Sequence, residues 1–271
     1  MERSREKHNQ DIAHDPRLIA LASEHPYPLL FASVSGSHLY GFSSPDSDVD
    51  LRGVHILPPH ELLGLKSPQD TIGRMGVEKG IDLDLVTHDV GKFFVLLLKK
   101  NGLVLEQLHS PLIVVSREEF QELREISLDL ITRHHMHHYR GFARGEWREL
   151  ERDAPPRVKR LLYVFRALLT GIHLMRTGNV EANLPRLAAD AGLDFIDELI
   201  ERKVSGEEKT TLEPTEIETY RPRYLQLVEQ LETASERSHL PDEPMKKDQM
   251  SDFLVRIRMQ FVDSEYTGGR V

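Results

Sequence analysis

VSGSHLYGFSSPDSDVDL, residues 34–51, is the stretch that decides the fold of this 271-residue chain. An apolar run ends just before Gly36, whose missing side chain lets backbone amides approach a ligand closely. Ser37 adds a hydroxyl and an amide at the start of a predicted short helix, a position suited to binding phosphate. Asp48 and Asp50 then stand two residues apart on a predicted strand, so both carboxylates point to one face.

The two carboxylates need a cation between them, because like charges at that distance repel. Mg²⁺ held by carboxylates and by substrate phosphates is a common solution. The stretch therefore predicts phosphate-binding groups and metal ligands at one site. An EF-hand loop is excluded, because Leu51 and Leu57 stand where that loop has a glycine and its last glutamate. A solvated turn is the alternative, since Ser-Pro-Asp-Ser-Asp is ordinary loop chemistry.

The rest of the N-terminal half alternates short apolar runs with helical stretches, which predicts a mixed α/β layer. The predicted elements are a helix over 16–23, strands over 28–34, 49–56, 81–87 and 111–115, and a helix over 89–100 that stops at Asn101-Gly102. In the strand over 81–87, Asp82 and Asp84 share a face.

Helical patterns dominate after Ser116, where SREE predicts a capping box that opens a helix. An apolar stripe over 157–176 predicts a core helix, 204–214 a loop, and 222–237 and 251–262 two last helices. We therefore expect an α+β fold, with a mixed-sheet domain over 1–115 and an all-helical domain over 116–271 that closes a substrate cleft.

Composition predicts a soluble globular protein with an ordinary core, since 39% of the residues are hydrophobic. The longest apolar run, 93–98, is too short to cross a bilayer, and the charged start MERSREKHNQD does not resemble a targeting signal. The absence of cysteine excludes disulfides and thiolate metal sites, and a cytoplasmic location is the default expectation.

The net charge of −9 argues against a protein that coats nucleic acid non-specifically. The charge is uneven, however, because residues 133–166 contain nine basic and four acidic side chains. Arg140, Arg144, Arg148 and Arg152 recur every four residues on one broad helix face, which fits either a polyanion groove or a plain surface with ion pairs. The neighbouring histidines at 134, 135, 137 and 138 fit a solvated or RNA-facing surface better than a metal site. Packing is the favoured role for Trp147.

The spacing of the deciding stretch resembles the pattern of the polymerase-β nucleotidyltransferase superfamily: apolar-Gly-Ser, about ten residues, then Asp-apolar-Asp-apolar, with a third acidic residue on a later strand. The resemblance implies a palm-like mixed sheet and two Mg²⁺ or Mn²⁺ ions bound by the carboxylates and a nucleoside triphosphate (NTP) such as ATP. By the same resemblance, Asp48 and Asp50 would be catalytic metal ligands, and Gly36 and Ser37 would bind the triphosphate. Spacing alone leaves Asp82 and Asp84 open as the third carboxylate.

A narrower resemblance involves GSHLYGFSSPDSDVDLRGV, DLVTHDVGKFFVLLLKKNGLVLEQLHSP, HHYRGFARG and VKRLLYVFRALLTGIHLM. These runs are similar to the RlaP group, predicted nucleotidyltransferases associated with bacterial RNA-repair operons. In that group the third acidic residue lies five positions before the Asp that opens the next helix, here Asp89, which favours Asp84 as the third catalytic metal ligand. Further substrate-binding candidates are Lys92, Tyr139, Arg140, Arg144 and Lys159.

The resemblance implies nucleotidyl transfer from an NTP, with an RNA end as the favoured acceptor. A small molecule or a protein side chain is the alternative acceptor. A non-catalytic nucleotide sensor or antitoxin-like partner is the alternative class, against which the intact pair Asp48 and Asp50 argues. The residues identify no protein partner and no membrane contact.

Overall fold

A five-stranded mixed sheet forms the N-terminal half of the molecule. The structure is a computed structural model that describes residues 11–65, 67–205 and 210–261. The strands are β1 (Leu29–Val34), β2 (Val49–His55), β3 (Thr71–Glu78), β4 (Ile81–Asp89) and β5 (Ile113–Ser116). Their order across the sheet is β3-β4-β2-β1-β5, with β2 and β4 parallel and the other neighbours antiparallel.

Helices flank the sheet and make up most of the chain after it. Those of the N-terminal half are α1 (Pro16–Ser23), α2 (Gly36–Tyr40), α3 (Pro59–Leu62), α4 (Val90–Leu98) and α5 (Gly102–His109). Those that follow β5 are α6 (Phe120–Leu128), α7 (Met136–Arg152), α8 (Val158–Thr177), α9 (Leu184–Ala191), α10 (Phe195–Ser205), α11 (Pro214–Glu236) and α12 (Lys247–Met259). The mixed sheet followed by helices confirms the predicted α+β class.

Strand burial follows from the sequence pattern. In β4, Ile81, Leu83 and Leu85 are buried, whereas Asp82 is exposed and Asp84 is half-buried, so the strand alternates between a core face and an open face. The apolar strand β1 is buried along almost its whole length, which fits its position between β2 and β5. The open face of β4 is where the carboxylates lie.

Helix α8 is the centre of the helical part. Its apolar residues are buried from Val158 to Met175, where it packs against α7, α9, α10 and α11. It ends at Gly178, whose φ of 75° is a left-handed conformation that glycine adopts without strain. The last helix returns to the sheet, because Arg258 of α12 bonds to Asp89 at 2.6 Å. The sheet and the helices therefore share one continuous core.

Several element predictions need correction. The predicted capping box is wrong: Ser116 is the last residue of β5, and α6 begins at Phe120 with Glu119 as an N-cap whose side chain makes no capping hydrogen bond. Strand β3 and helix α5 were not predicted. Helix α11 begins at Pro214 and continues through Pro222, earlier than the predicted start at 222.

Some predictions extend beyond the described residues. The charged start over 1–10, part of the predicted loop over 204–214 and the end of the predicted last helix at 262 lie wholly or partly outside them. Helix α12 begins at Lys247, four residues before the predicted start. No helix in the described ranges combines the length and the apolar character that crossing a bilayer requires.

Candidate functional site

The register of two parallel strands brings two of the predicted carboxylates together. Asp50 of β2 and Asp84 of β4 are direct partners across the β2–β4 pair. Partners in a sheet project their side chains to the same face, so both carboxylates face the open side. Asp82 lies two residues earlier on β4, is exposed, and pairs with Val77 of β3. Asp84, and not Asp82, is therefore the aspartate of β4 that lies beside Asp50.

Arg52 joins the two carboxylates. One guanidinium nitrogen donates to Asp50 Oδ1 at 2.6 Å and to Asp84 Oδ2 at 2.7 Å, and another donates to the backbone carbonyl of Asp84 at 2.6 Å. About a fifth of each of these three side chains is exposed, so the cluster is partly open to solvent. The guanidinium therefore orients both carboxylates and offsets part of their charge.

The turn at Gly36 closes directly over Asp50. Gly36 has a φ of 59°, a left-handed conformation that other residues rarely adopt. A Cβ atom at this position would lie 1.8 Å from Asp50 Oδ2. Glycine is thus required twice here, by the backbone conformation and by the close approach of the carboxylate. The contact places the Gly-Ser turn beside the carboxylates, as the sequence spacing predicts.

Ser37 supplies a hydroxyl next to this contact. Its side chain is buried, and its Oγ forms no hydrogen bond with any described part of the protein. A buried hydroxyl that no protein group satisfies is unusual and fits a group that bonds to a ligand. The role of Ser37 in a phosphate-binding turn stays a prediction.

Asp48 directly precedes β2 and is half-buried. Its charge is close enough to affect Asp50: burial raises the pKa of Asp50 to about 6, Arg52 opposes this rise, and the charges of Asp48 and Asp84 add to it. Negative charge is therefore concentrated around Asp50 beyond what Arg52 neutralises. A divalent cation would relieve this repulsion.

One face of α8 points toward the same site. Lys159, Tyr163 and Arg166 are spaced four and three residues apart and so lie on one side of the helix. The Lys159 charge lowers the pKa of Asp50, which places Lys159 within electrostatic range of that carboxylate. Burial and then the charge of Asp50 raise the pKa of Tyr163. Lys159 is thus near enough to Asp50 to influence its charge, as is Tyr163, a tyrosine that the sequence did not indicate.

A buried ion pair lies where α2, α5 and α8 meet. Arg166 donates to Glu106 Oε1 at 2.6 Å, and each of the two side chains is only 1% exposed. The hydroxyl of Tyr40, the last residue of α2, donates to Glu106 Oε2 at 3.2 Å, and its ring lies 4.0 Å from the Arg166 guanidinium. Burial lowers the pKa of Arg166, but Glu106 and the surrounding tyrosines raise it more. This cluster anchors the helix that begins at Gly36.

Other predicted substrate-binding residues lie away from the carboxylates. Lys92 bonds to Asp70 at 2.8 Å and to Thr71 at 2.5 Å. Thr71 pairs with His88 near the last residue of β4, so this contact lies away from Asp84. Tyr139 is buried in the core, against positions 102 and 171. The structure does not bring either side chain to the carboxylate cluster.

The predicted arginine stripe runs along α7. Arg140 forms a 2.6 Å ion pair with Glu232 of α11, whereas Arg144 and Arg148 are exposed near Tyr224 of α11. Trp147 is buried and stacks on Tyr224 with a ring separation of 4.3 Å, so it packs as expected.

Four neighbouring histidines lie in the turn before α7 and in its first turn. The His134 and His137 rings stack 5.8 Å apart, and burial lowers the pKa of His138 to about 4. In the described ranges, no group of three histidine, aspartate or glutamate side chains lies close enough together to hold a metal ion. This also applies to the carboxylate cluster. Asp50 and Asp84 meet through Arg52 instead.

The fold and this arrangement define a polymerase-β-like protein. The chain belongs to the RNA repair pathway DNA polymerase beta family, RlaP, whose sequence model matches residues 11–256. It is 28% identical over 243 residues to the uncharacterized protein MJ0002 of Methanocaldococcus jannaschii, a match that covers 86% of this chain and 96% of the relative. It is 27% identical over 192 residues to the uncharacterized protein YcgL of Bacillus subtilis, covering 66% and 71% of the two chains.

Proposed function

We propose that the chain transfers a nucleotide from an NTP to an acceptor hydroxyl at the site formed by Gly36, Ser37, Asp48, Asp50 and Asp84. The observation that carries this proposal is the direct pairing of Asp50 with Asp84 beside the Gly36 turn. Membership of a polymerase-β-like family supports the same chemistry.

The residues of the site fit a divalent metal. Carboxylate oxygens are the ligands that Mg²⁺ prefers, and the excess negative charge around Asp50 favours a cation there. Asp48, Asp50 and Asp84 would hold Mg²⁺ or Mn²⁺, in two ions by family resemblance. The bound metal would offset the negative charge that develops on the attacking oxygen and on the pyrophosphate leaving group.

The protein's own groups would bind and orient the substrate. The Gly36 turn lets backbone amides approach the triphosphate, and the buried Ser37 hydroxyl is available to donate to a phosphate oxygen. Lys159 adds positive charge near Asp50. Arg52 holds the carboxylates of Asp50 and Asp84 in fixed orientations, which would position the groups that bind to them.

The acceptor that we propose is an RNA end. The family name refers to an RNA repair pathway, and α7 presents the exposed side chains of Arg144 and Arg148 to solvent. Arginine binds phosphate through a planar, multidentate head group, which suits an RNA backbone. The ion pair of Arg140 with Glu232 reduces the charge that this residue offers.

The reaction is tested by pyrophosphate release from each NTP with Mg²⁺ or Mn²⁺, with and without a panel of end-labelled RNAs. Extension of a labelled RNA together with pyrophosphate release supports the proposal, and the Asp50→Asn variant serves as the inactive control. If only a small molecule or a protein stimulates pyrophosphate release, that molecule and not RNA is the acceptor. NTP binding without any turnover would favour a nucleotide sensor.

The RNA contact is tested separately by its dependence on salt. For single strands, each neutralised phosphate contributes a slope of roughly −0.7 in log affinity against log salt. Reversing the charges of Arg144 and Arg148 together should flatten this slope and raise the acceptor KM, with little change in the KM for NTP. RNA affinity that is the same at low and high salt would exclude contact with α7.

A further inference from the structure

A fully buried lysine contacts the loop that precedes Asp48. Lys203 lies in the last turn of α10 and is 0% exposed. Its Nζ donates to Ser44 Oγ at 2.6 Å and to Ser47 Oγ at 2.9 Å. The two partners lie 159 and 156 residues away in sequence, and Ser47 is the direct neighbour of Asp48.

The two serines and the lysine form a bonded unit. Ser47 Oγ also accepts from the backbone amide of Ser44 at 2.9 Å and lies 3.1 Å from Ser44 Oγ. A hydroxyl has two lone pairs and one hydrogen. The Ser44 amide and the Lys203 ammonium occupy both lone pairs of Ser47 Oγ. The hydroxyl hydrogen of Ser47 therefore points away from these two donors, and Ser44 Oγ is near enough to accept it. The ammonium therefore fixes the rotation of the Ser47 side chain.

A buried ammonium is a costly way to hold a loop. Removing a lysine charge from water costs several kcal/mol unless it is well hydrogen-bonded. The carbonyl end of α10 favours the cation, but apolar packing at this position would hold the helix at a smaller cost. The bonds to Ser44 and Ser47 instead tie this charge to the loop that ends at Asp48.

We infer that Lys203 is a positioning residue for Asp48, acting through Ser44 and Ser47. The helical part of the chain would then contribute to the candidate metal site through the loop that enters β2. This inference rests on the proposed function, because it assigns to Asp48 the role of a metal ligand.

The test compares metal-dependent thermal stabilisation of the full-length wild-type protein with that of Lys203→Met. Groups that orient metal ligands typically change metal affinity by about 10- to 100-fold when they are removed. We expect Lys203→Met to need at least about tenfold more Mn²⁺ or Mg²⁺ for half of its maximal rise in Tm. In turnover assays, the same variant should need more metal for half-maximal rate, with an unchanged KM for the acceptor.

The matched control is Leu199→Ala, which removes a buried apolar side chain from the same helix. This variant should lose stability but keep the wild-type dependence on metal concentration, since a leucine side chain offers no hydrogen bond to Ser44 or Ser47. If Lys203→Met does not fold, Ser47→Ala decides, with an expected shift in the same direction. If the folded Lys203→Met variant responds to metal as the wild type does, the inference is overturned and the proposed function is not affected. The same holds for Ser47→Ala if Lys203→Met does not fold. A wild-type protein that responds to neither metal would overturn the proposed function and this inference with it.

Discussion

Two arginine–carboxylate clusters in this molecule use the same groups in opposite surroundings. Arg52 lies between Asp50 and Asp84 with about a fifth of each side chain exposed. Arg166 pairs with Glu106 at the same distance of 2.6 Å, but both side chains are sealed from solvent. Their difference in charge balance separates a structural pair from a site that can accept a ligand.

The buried cluster is balanced. One guanidinium meets one carboxylate, and Tyr40 satisfies the second carboxylate oxygen. The open cluster is not balanced, because the three carboxylates of Asp48, Asp50 and Asp84 outnumber the two nearby cations, Arg52 and Lys159. Buried charge must be paired, whereas a partly open site can keep an excess that an incoming cation offsets. The imbalance around Asp50 is therefore the property expected of a site that binds a cation, and it supports this cluster as the candidate site.

The largest expected effect is the loss of turnover in Asp50→Asn. Removing this carboxylate should lower kcat about a thousandfold or more, or about 4 kcal/mol, because it takes away the central candidate metal ligand. Stability without metal should stay the same or rise slightly, since Arg52 keeps its bond to Asp84. Steady-state kinetics and thermal melts in a chelator measure the two effects. A folded, fully active variant would remove Asp50 from the mechanism.

The buried cluster should respond in the opposite way. Glu106→Gln leaves the Arg166 charge buried without its carboxylate, so we expect a loss of about 3–5 kcal/mol in the free energy of unfolding. Glu122→Gln is the matched control, because it breaks a 2.6 Å pair with Arg256 that is about half exposed and should cost about 0–1 kcal/mol. Denaturant titration gives both values. Similar losses in the two variants would contradict the distinction between sealed and exposed pairs.

The sequence revealed those parts of the site that lie close together along the chain. Gly36, Ser37, Asp48 and Asp50 fall within one stretch, so their spacing could be read directly. Asp84 required the pairing of β2 with β4, which local spacing does not contain, and only the family resemblance favoured it over Asp82. Residue patterns could not give this cross-strand register.

Long-range partners were beyond prediction for the same reason. Lys203 and Arg166 bond to residues 159 and 60 positions away, and nothing in their local sequence indicates these contacts. Arg52 stands two residues after Asp50 on the same strand face, so the sequence does contain a local signal for this partner. Contacts of this kind depend on how the elements pack.

The missed elements have local causes. Strand β3, TIGRMGVE, contains two glycines and is an edge strand, so its structure comes from pairing with β4 more than from its own pattern. The pair Asn101-Gly102 is typical of the end of a helix, so the local pattern does not show that α5 begins there. Asn101 is in fact the N-cap of α5, and its side chain accepts from the backbone amides of Leu103 and Val104.

The third prediction separates the two aspartates of β4. Asp84→Asn should lower kcat about a hundredfold, or about 2.7 kcal/mol, because Asp84 is the partner of Asp50. Asp82→Asn should change kcat by less than about twofold, since this residue is exposed opposite Val77. NTP binding should remain nearly normal in both variants. Equal losses, or a loss only in Asp82→Asn, would reverse the assignment of the third carboxylate.

The last prediction tests the charge imbalance itself, through Arg52→Met. Without the guanidinium, Asp50 and Asp84 face each other with no cation between them, so we expect a loss of about 1–2 kcal/mol in unfolding free energy when a chelator is present. Mn²⁺ should reduce the difference in unfolding free energy between Arg52→Met and the wild type, because a bound cation replaces the missing charge. The loss in Glu106→Gln should not change with metal, since no cation can enter a sealed cluster. Denaturant titrations of both variants, with chelator and with metal, give the comparison. If metal does not change the loss of unfolding free energy in Arg52→Met, the open cluster is as purely structural as the buried one.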